Sequence, residues 1–310
     1  MHGLSVNKAK QIFTFIFIIF PMMDNSCTFK VISKKSSRLL VRSVGVIVCG
    51  IFGFILKKPL SMAKVMKVLE KLEVSKYPDE KLPVGGYGAG VAVLLEDGGV
   101  VSEKVGKNGD SPVAQLAELL KPRLSEARVL IGHVRYPGLE FMDTVKFKEA
   151  AQPYVENFEP QLTIVSAHNG RIENYLELKA KLKTHVFESE KTRLIDSEVI
   201  PHYFGELLDE GLETEAAVQE LLCALKGKTV GSVALLQLGE EEQVLHLLHK
   251  GWSRGLTVWA NAKGEVIFCT RPEPVQEELK EMLIRGGFKE KAVIKTREEA
   301  ELKLSFSVIT

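Results

Sequence analysis

A cysteine, an arginine, an asparagine–glycine pair and an aspartate carry the chemistry this sequence offers. They lie in four blocks, in order: Cys49-Gly50-Ile51-Phe52-Gly53, Gly132-His133-Val134-Arg135, Ala167-His168-Asn169-Gly170-Arg171-Ile172-Glu173-Asn174 and Ile195-Asp196-Ser197-Glu198. A thiolate attacks an amide carbonyl, but a free cysteine has a pKa of about 8.5 and is mostly protonated at neutral pH. A base must take the proton. An α-amine titrating near ~8 does so when the cysteine is itself the first residue. Gly50 and Gly53 would let backbone and substrate approach that sulfur closely. Each block also has a plain structural role. Cys49 suits a buried strand, Asn169-Gly170 a tight turn, Arg135 a surface ion pair, and Asp196 the N-cap of a helix.

Taken together, the four blocks resemble the class II glutamine amidotransferases, in which an N-terminal cysteine hydrolyses the side-chain amide of glutamine. The resemblance covers about residues 49–270. It implies an α+β fold, the four-layer αββα Ntn-hydrolase sandwich with two stacked, mainly antiparallel sheets. It implies a catalytic set of Cys49 as nucleophile with the Asn169 side chain and Gly170 backbone as oxyanion donors. Arg135 and Asp196 would then grip the α-carboxylate and α-ammonium of L-glutamine, and His168 would be structural. Neither a metal nor an organic cofactor is implied. Residues 271–310 leave no room for an acceptor domain, so a separate ammonia-consuming synthase subunit is expected.

Two stretches refine the resemblance. After Arg135 the family often carries a Thr-His-Gly-like loop, whereas this chain has Tyr136-Pro137-Gly138-Leu139-Glu140-Phe141. Contacts of the substrate-closing loop 136–150 are therefore not carried over, and an Ntn amidase acting on another amide stays open. A non-catalytic amino-acid or partner-binding relative also stays open. Ala151-Gln152-Pro153-Tyr154 is similar to a block in the amidotransferase domain of glutamate synthases, which makes a glutamate synthase-like complex the leading expectation. Gly86-Tyr87-Gly88-Ala89-Gly90 fits a glycine-rich lead-in to a strand. It is no phosphate loop, since no Lys-Ser/Thr follows.

The 310 residues carry 41 Lys and Arg against 40 Asp and Glu, so no global field steers the chain toward nucleic acid or an anionic membrane. Four widely spaced cysteines (Cys27, Cys49, Cys223, Cys269) form no CxxC pair and fit a reducing, cytoplasmic setting. Residues 12–20 follow Lys8 and Lys10 in a signal-like pattern that is too short for a comfortable membrane span. Three readings of residues 1–48 are open. Initiation occurs at the codon printed as Val48, a pro-segment is cut off, or the segment stays and leaves Cys49 internal and inert.

The elements that must position the four blocks follow from apolar runs and turn signals. Strands are expected at 46–56, 90–96, 128–134, 162–167, 230–237, 243–249, 256–260 and 265–269. Helices are expected at 62–73 with Ser61 as cap, 113–121 with Ser111 and Pro112 at its start, 175–183 after Asn174, 197–209 after Asp196, and 215–226 after Thr214. Residues 271–310 read as a helix at 274–285 and a charged tail with a last apolar stretch, Leu304 to Thr310.

Overall fold

The structure is a computed structural model that describes residues 49–158, 161–240 and 242–308. Every reading made of residues 1–48 lies outside the described residues. The strands are β1 (Gly50–Ser61), β2 (Gly88–Leu94), β3 (Val100–Gly106), β4 (Glu126–Val134), β5 (Tyr154–Phe158), β6 (Leu162–Asn169), β7 (Gly231–Leu238), β8 (Gln243–Trp252), β9 (Leu256–Ala260), β10 (Val266–Cys269), β11 (Lys289–Ile294) and β12 (Glu299–Ser307). The helices are α1 (Met62–Val74), α2 (Pro112–Leu120), α3 (Tyr175–Lys179), α4 (Val199–Asp209), α5 (Thr214–Ala224), α6 (Pro272–Glu278) and α7 (Lys280–Arg285).

Strands form two antiparallel sheets, ordered β11-β9-β10-β1-β4-β2-β3 and β12-β8-β7-β6-β5. Three apolar layers hold them. Ile51, Ile55, Val129 and Ile131 of the first sheet meet Val165, Ala167, Ala234 and Leu247 of the second. On the outer face of the first sheet, Phe52, Phe54 and Leu56 pack against Val65, Val68, Leu69 and Leu72 of α1. The helical spacing of those four residues makes one apolar stripe. Val233, Leu235 and Leu248 of the second sheet are covered by α4 and α5 through Phe204, Val218 and Leu221. The order helix, sheet, sheet, helix is the expected sandwich. It explains why residues 50–56 of β1 read as an unbroken apolar run, since both faces of that stretch are buried.

The eight expected strands form. β3, β5, β11 and β12 go unseen in the sequence. β3, β5, β11 and β12 are all sheet edges, where a half-solvated strand carries charge and its apolar run breaks up. Residues 271–310 thus differ from the helix and tail expected of them. They form α6 and α7, then β11 and β12, which pair with β9 and β8 and extend both sheets.

Capping follows chemistry only in part. The Ser111 hydroxyl accepts the Ala114 N–H at 3.1 Å ahead of Pro112, as expected. Ser61 makes no side-chain cap. Asn174 instead ties the start of α3 to the end of α5. It donates to the Ala224 carbonyl at 3.0 Å and accepts the Lys226 N–H at 2.9 Å. Among the described residues no helix is long and apolar enough to cross a membrane.

Candidate active site

Register brings the first two blocks together. β1 runs antiparallel to β4 with Gly50 opposite Val134, so Cys49 and Arg135 emerge side by side at one edge. The Cys49 thiol lies 3.1 Å from the Tyr136 carbonyl, to which it donates, and accepts the Tyr136 N–H at 3.4 Å. Gly50 and Gly53 serve packing and not substrate approach. A Cβ on Gly50 would stand 2.6 Å from Val84 and 2.8 Å from Val134, and one on Gly53 would stand 2.4 Å from the Leu130 carbonyl oxygen.

The third block arrives from the other sheet. β6 ends at Asn169, whose side chain is fully buried. Thr270, just past β10, joins it to β1: its Oγ1 accepts the Ile51 N–H at 2.9 Å and lies 3.3 Å from Asn169 Nδ2, while Asn169 Oδ1 has no partner. Amide nitrogen and oxygen are interchangeable by a flip. With the amide turned over, the Thr270 hydroxyl donates to Oδ1 and the NH2 is left free as a donor. That arrangement satisfies the oxygen.

Gly170 is fixed by crowding. A Cβ there would lie 1.8 Å from the Val230 carbonyl oxygen. His168 sits behind both residues, with Nε2 2.5 Å from that same carbonyl and Nδ1 2.8 Å from Ser197 Oγ. Nε2 must carry the proton, so Nδ1 accepts from Ser197. Burial lowers the His168 pKa and keeps the ring neutral. It is a brace, as expected, and it ties the third block to the fourth. Gln152 adds a second brace through both ends of its amide, accepting the His168 N–H at 2.6 Å and donating to the His168 carbonyl at 3.2 Å. The Ala-Gln-Pro-Tyr block therefore has a structural use in this fold.

Asp196 is no helix cap. It opens a short 3-10 turn, Asp196–Glu198, ahead of α4 and makes no capping bond. Its Oδ2 instead accepts the Ile172 N–H at 2.8 Å, which draws the turn against the Asn169-Gly170 segment. Arg135 is no surface ion pair. It is buried, with Nη2 donating to Thr144 Oγ1 at 2.7 Å, and among the described residues no carboxylate lies within ion-pair reach of it. Thr144 belongs to the 136–150 loop, so that loop orients the guanidinium.

Arg254, in the β8–β9 turn, escaped the sequence reading. Its Nε is buried without a partner, and its charge acts on Cys49 and Asp196. Burial pushes the Cys49 thiol up; Arg254, the Tyr136 N–H and Arg135 pull it down, while Asp196 adds to the rise. No motif surrounds Arg254, and only the crossing from β8 of one sheet to β9 of the other reveals its place. At the rim, exposed Arg171 pairs with Glu140 at 3.1 Å, linking the loop to the end of β6. The structure thus gathers Cys49, Arg135, Asn169, Gly170 and Asp196 with Arg254 at one end of the two sheets.

No family model matches the chain. Among curated proteins it is 33% identical over 214 residues to glutamine–fructose-6-phosphate aminotransferase (isomerizing) of Aquifex aeolicus, covering 64% of this chain and 32% of that one. It is 39% identical over 97 residues to the enzyme of that name from Methanothermobacter thermautotrophicus, covering 29% and 16%. The chain thus spans about a third or less of the length of these relatives. Among solved structures it resembles glutamine phosphoribosylpyrophosphate amidotransferase from B. subtilis complexed with ADP and GMP, with a TM-score of 0.54 and 18% identity over 83% of this chain and 49% of that one. A structure described as the allosteric regulatory enzyme of purine biosynthesis gives 0.55 and 16%, over 83% and 48%. The sandwich is the Ntn-hydrolase amidotransferase fold.

Proposed function

From a chain whose kin in sequence and fold are class II (Ntn) glutamine amidotransferases, we propose that this protein hydrolyses L-glutamine to glutamate and ammonia through Cys49. The observation that carries the reading is the meeting, at one end of the two sheets, of a thiol, a buried arginine with no carboxylate in ion-pair reach and a buried aspartate beside an asparagine with a spare polar atom. Arg135 takes the α-carboxylate through its guanidinium. Asp196 takes the α-ammonium with its second oxygen. This holds the amide over the sulfur.

The thiol proton passes to the α-amine of Cys49, and sulfur bonds to the amide carbon. The carbonyl oxygen becomes an oxyanion held by the Asn169 NH2 and the Gly170 N–H. Such donors are worth about 3–4 kcal/mol each where one has been removed from a protease. Collapse returns the proton to nitrogen, ammonia leaves, and water cleaves the thioester to release glutamate. Arg254 and Arg135 favour the thiolate against the cost of burial. The proposal needs Cys49 as the first residue of the working protein.

For the ammonia we propose a synthase acceptor. The Ala151–Tyr154 block supports a glutamate synthase-like subunit. The greater length of the sequence relatives supports an acceptor fused in those proteins. Co-purification from the native host identifies which polypeptide consumes the ammonia.

The decisive experiment uses chains that begin at Cys49 and at Val48. The Cys49 chain is expected to release glutamate and ammonia and to be alkylated at Cys49 by a glutamine-like diazoketone. Cys49→Ala and the Val48 chain are expected to do neither. A Cys49 chain that turns over another amide without being labelled would move the substrate. One that turns over nothing would make the protein a non-catalytic relative.

A further inference from the structure

A second polar cluster lies where β5, the connection between α3 and α4, and α4 itself converge. His185 Nδ1 and His202 Nδ1 face each other at 3.0 Å. Glu156 Oε1 stands 3.4 Å from His202 Nδ1 and 3.8 Å from His185 Nδ1. Each ring turns its other nitrogen toward a further carboxylate: His185 Nε2 is 2.9 Å from Glu206 Oε2, and His202 Nε2 is 3.9 Å from Glu198 Oε1.

Proton counting makes this arrangement informative. A carboxylate accepts hydrogen bonds and donates none. Glu206 therefore asks for a proton on His185 Nε2 through a hydrogen bond, and Glu198, at 3.9 Å too far for one, favours a proton on His202 Nε2 by its charge. Two neutral rings so protonated have lone pairs on both Nδ1 atoms, and these meet each other and the Glu156 oxygen. Three lone pairs aimed at one point repel unless a metal ion or a shared proton stands there.

We propose that Glu156, His185 and His202 bind one divalent transition-metal ion, with zinc the preferred occupant. Zinc–nitrogen distances of about 2.0–2.1 Å in tetrahedral geometry place donor atoms on the order of 3.3 Å apart. The observed 3.0, 3.4 and 3.8 Å bracket that value. Two imidazoles and one carboxylate form a ligand set that zinc accepts, and calcium and magnesium prefer all-oxygen shells. Carboxylates on the outer ring nitrogens are the usual support of a metal-bound histidine, since they fix the tautomer and orient the ring.

Access comes from the Glu156 side, where the side chain is 23% exposed against 6% for His185 and 3% for His202, and water completes the shell there. The ion would clip the α3–α4 connection to β5 and α4. That connection also supplies the Glu188 and Ser189 N–H groups, both accepted by the Glu198 carboxylate, two residues past Asp196. The site therefore steadies the turn that presents Asp196.

The test is a zinc titration of the full chain in the Cys49→Ser background, which removes the active-site thiol as a competing ligand and makes the result independent of glutamine hydrolysis. After chelator stripping, the protein is expected to take up one Zn2+ per chain in competition with a chromophoric chelator. Co2+ is expected to give the visible absorption of a tetrahedral site. Glu156→Gln and His185→Gln should each abolish stoichiometric uptake. Glu206→Gln, which never touches the ion, should weaken it about 10–100-fold. Glu156 and Glu206 are partly exposed, so these variants report even if a histidine variant fails to fold. No uptake by the parent chain would show that a shared proton fills the cluster, and uptake unchanged in Glu156→Gln and His185→Gln would place the ion elsewhere. Either result overturns the proposal.

Discussion

Two buried arginines in this molecule have opposite surroundings. Arg271 is fully buried, its Nη2 meets Glu80 at 2.6 Å, and its guanidinium lies 3.8 Å from the centre of the Tyr77 ring. Arg135 is also buried and is met by a threonine, with no carboxylate within ion-pair reach among the described residues. Burying an uncompensated charge is costly. Arg271 is compensated from within, so it belongs to the fold. Arg135 is left open to a group that brings its own negative charge, a place the proposed function gives to the α-carboxylate of glutamine. The local sequences, Cys-Thr-Arg-Pro and His-Val-Arg-Tyr, do not distinguish the two.

The contrast breaks most sharply under substitution. Arg271→Met strands the Glu80 carboxylate, and removing one partner of a buried pair typically costs about 3–5 kcal/mol. Urea unfolding of that variant should show a loss in this range, whereas Arg135→Gln should lose less than about 1 kcal/mol, because no anion is abandoned. Comparable losses in the two variants would mean that Arg135 is structural after all.

Asn169→Ala tests the other half of the site. Loss of one oxyanion donor is expected to lower kcat by about 10²–10³-fold with a smaller change in KM. Arg135→Gln should do the reverse, raising KM for glutamine about 30-fold with kcat closer to unchanged, in line with about 2 kcal/mol for a lost charge-assisted contact. Steady-state kinetics of the two variants side by side checks the split. The same pattern in both would erase the division between clamp and oxyanion hole.

The smallest effect concerns pH. Burial pushes the pKa of His133 down to about 3 and those of His246 and His249 to about 4. In the unfolded chain these rings protonate near ~6.5. Between those values the unfolded state binds more protons than the folded one, so stability rises with pH there and is lost as pH falls below about 6.5. Each such histidine contributes up to about 1.4 kcal/mol per pH unit in that window. His246→Gln should flatten the unfolding midpoint between about pH 6 and pH 4.5. An unchanged slope would show that His246 is not held neutral.

Legibility followed burial. The central strands announced themselves because both of their faces are covered, as in Phe52-Gly53-Phe54-Ile55-Leu56. The four edge strands did not, since Glu299-Ala300-Glu301-Leu302 resembles any solvated segment until a partner strand is beside it. In the site, the motif residues stood out by type and spacing. Thr270, Thr144 and Arg254 did not, because each acts on a residue that other elements bring beside it; Gln152 stood out only as part of its block and not as the brace of His168.

Sequence alone determined the reactive groups and the central strands and helices, since side-chain chemistry and apolar patterning are local properties of the chain, while the sandwich was implied by the family resemblance. Tertiary structure decided which groups are left without internal partners: that Asp196 reaches Ile172 instead of capping a helix, that Arg135 is buried without an anion, and that two histidines and a glutamate aim at one point. Compensation of charge and hydrogen bonds is a property of neighbours in space, and antiparallel register and sheet stacking choose those neighbours.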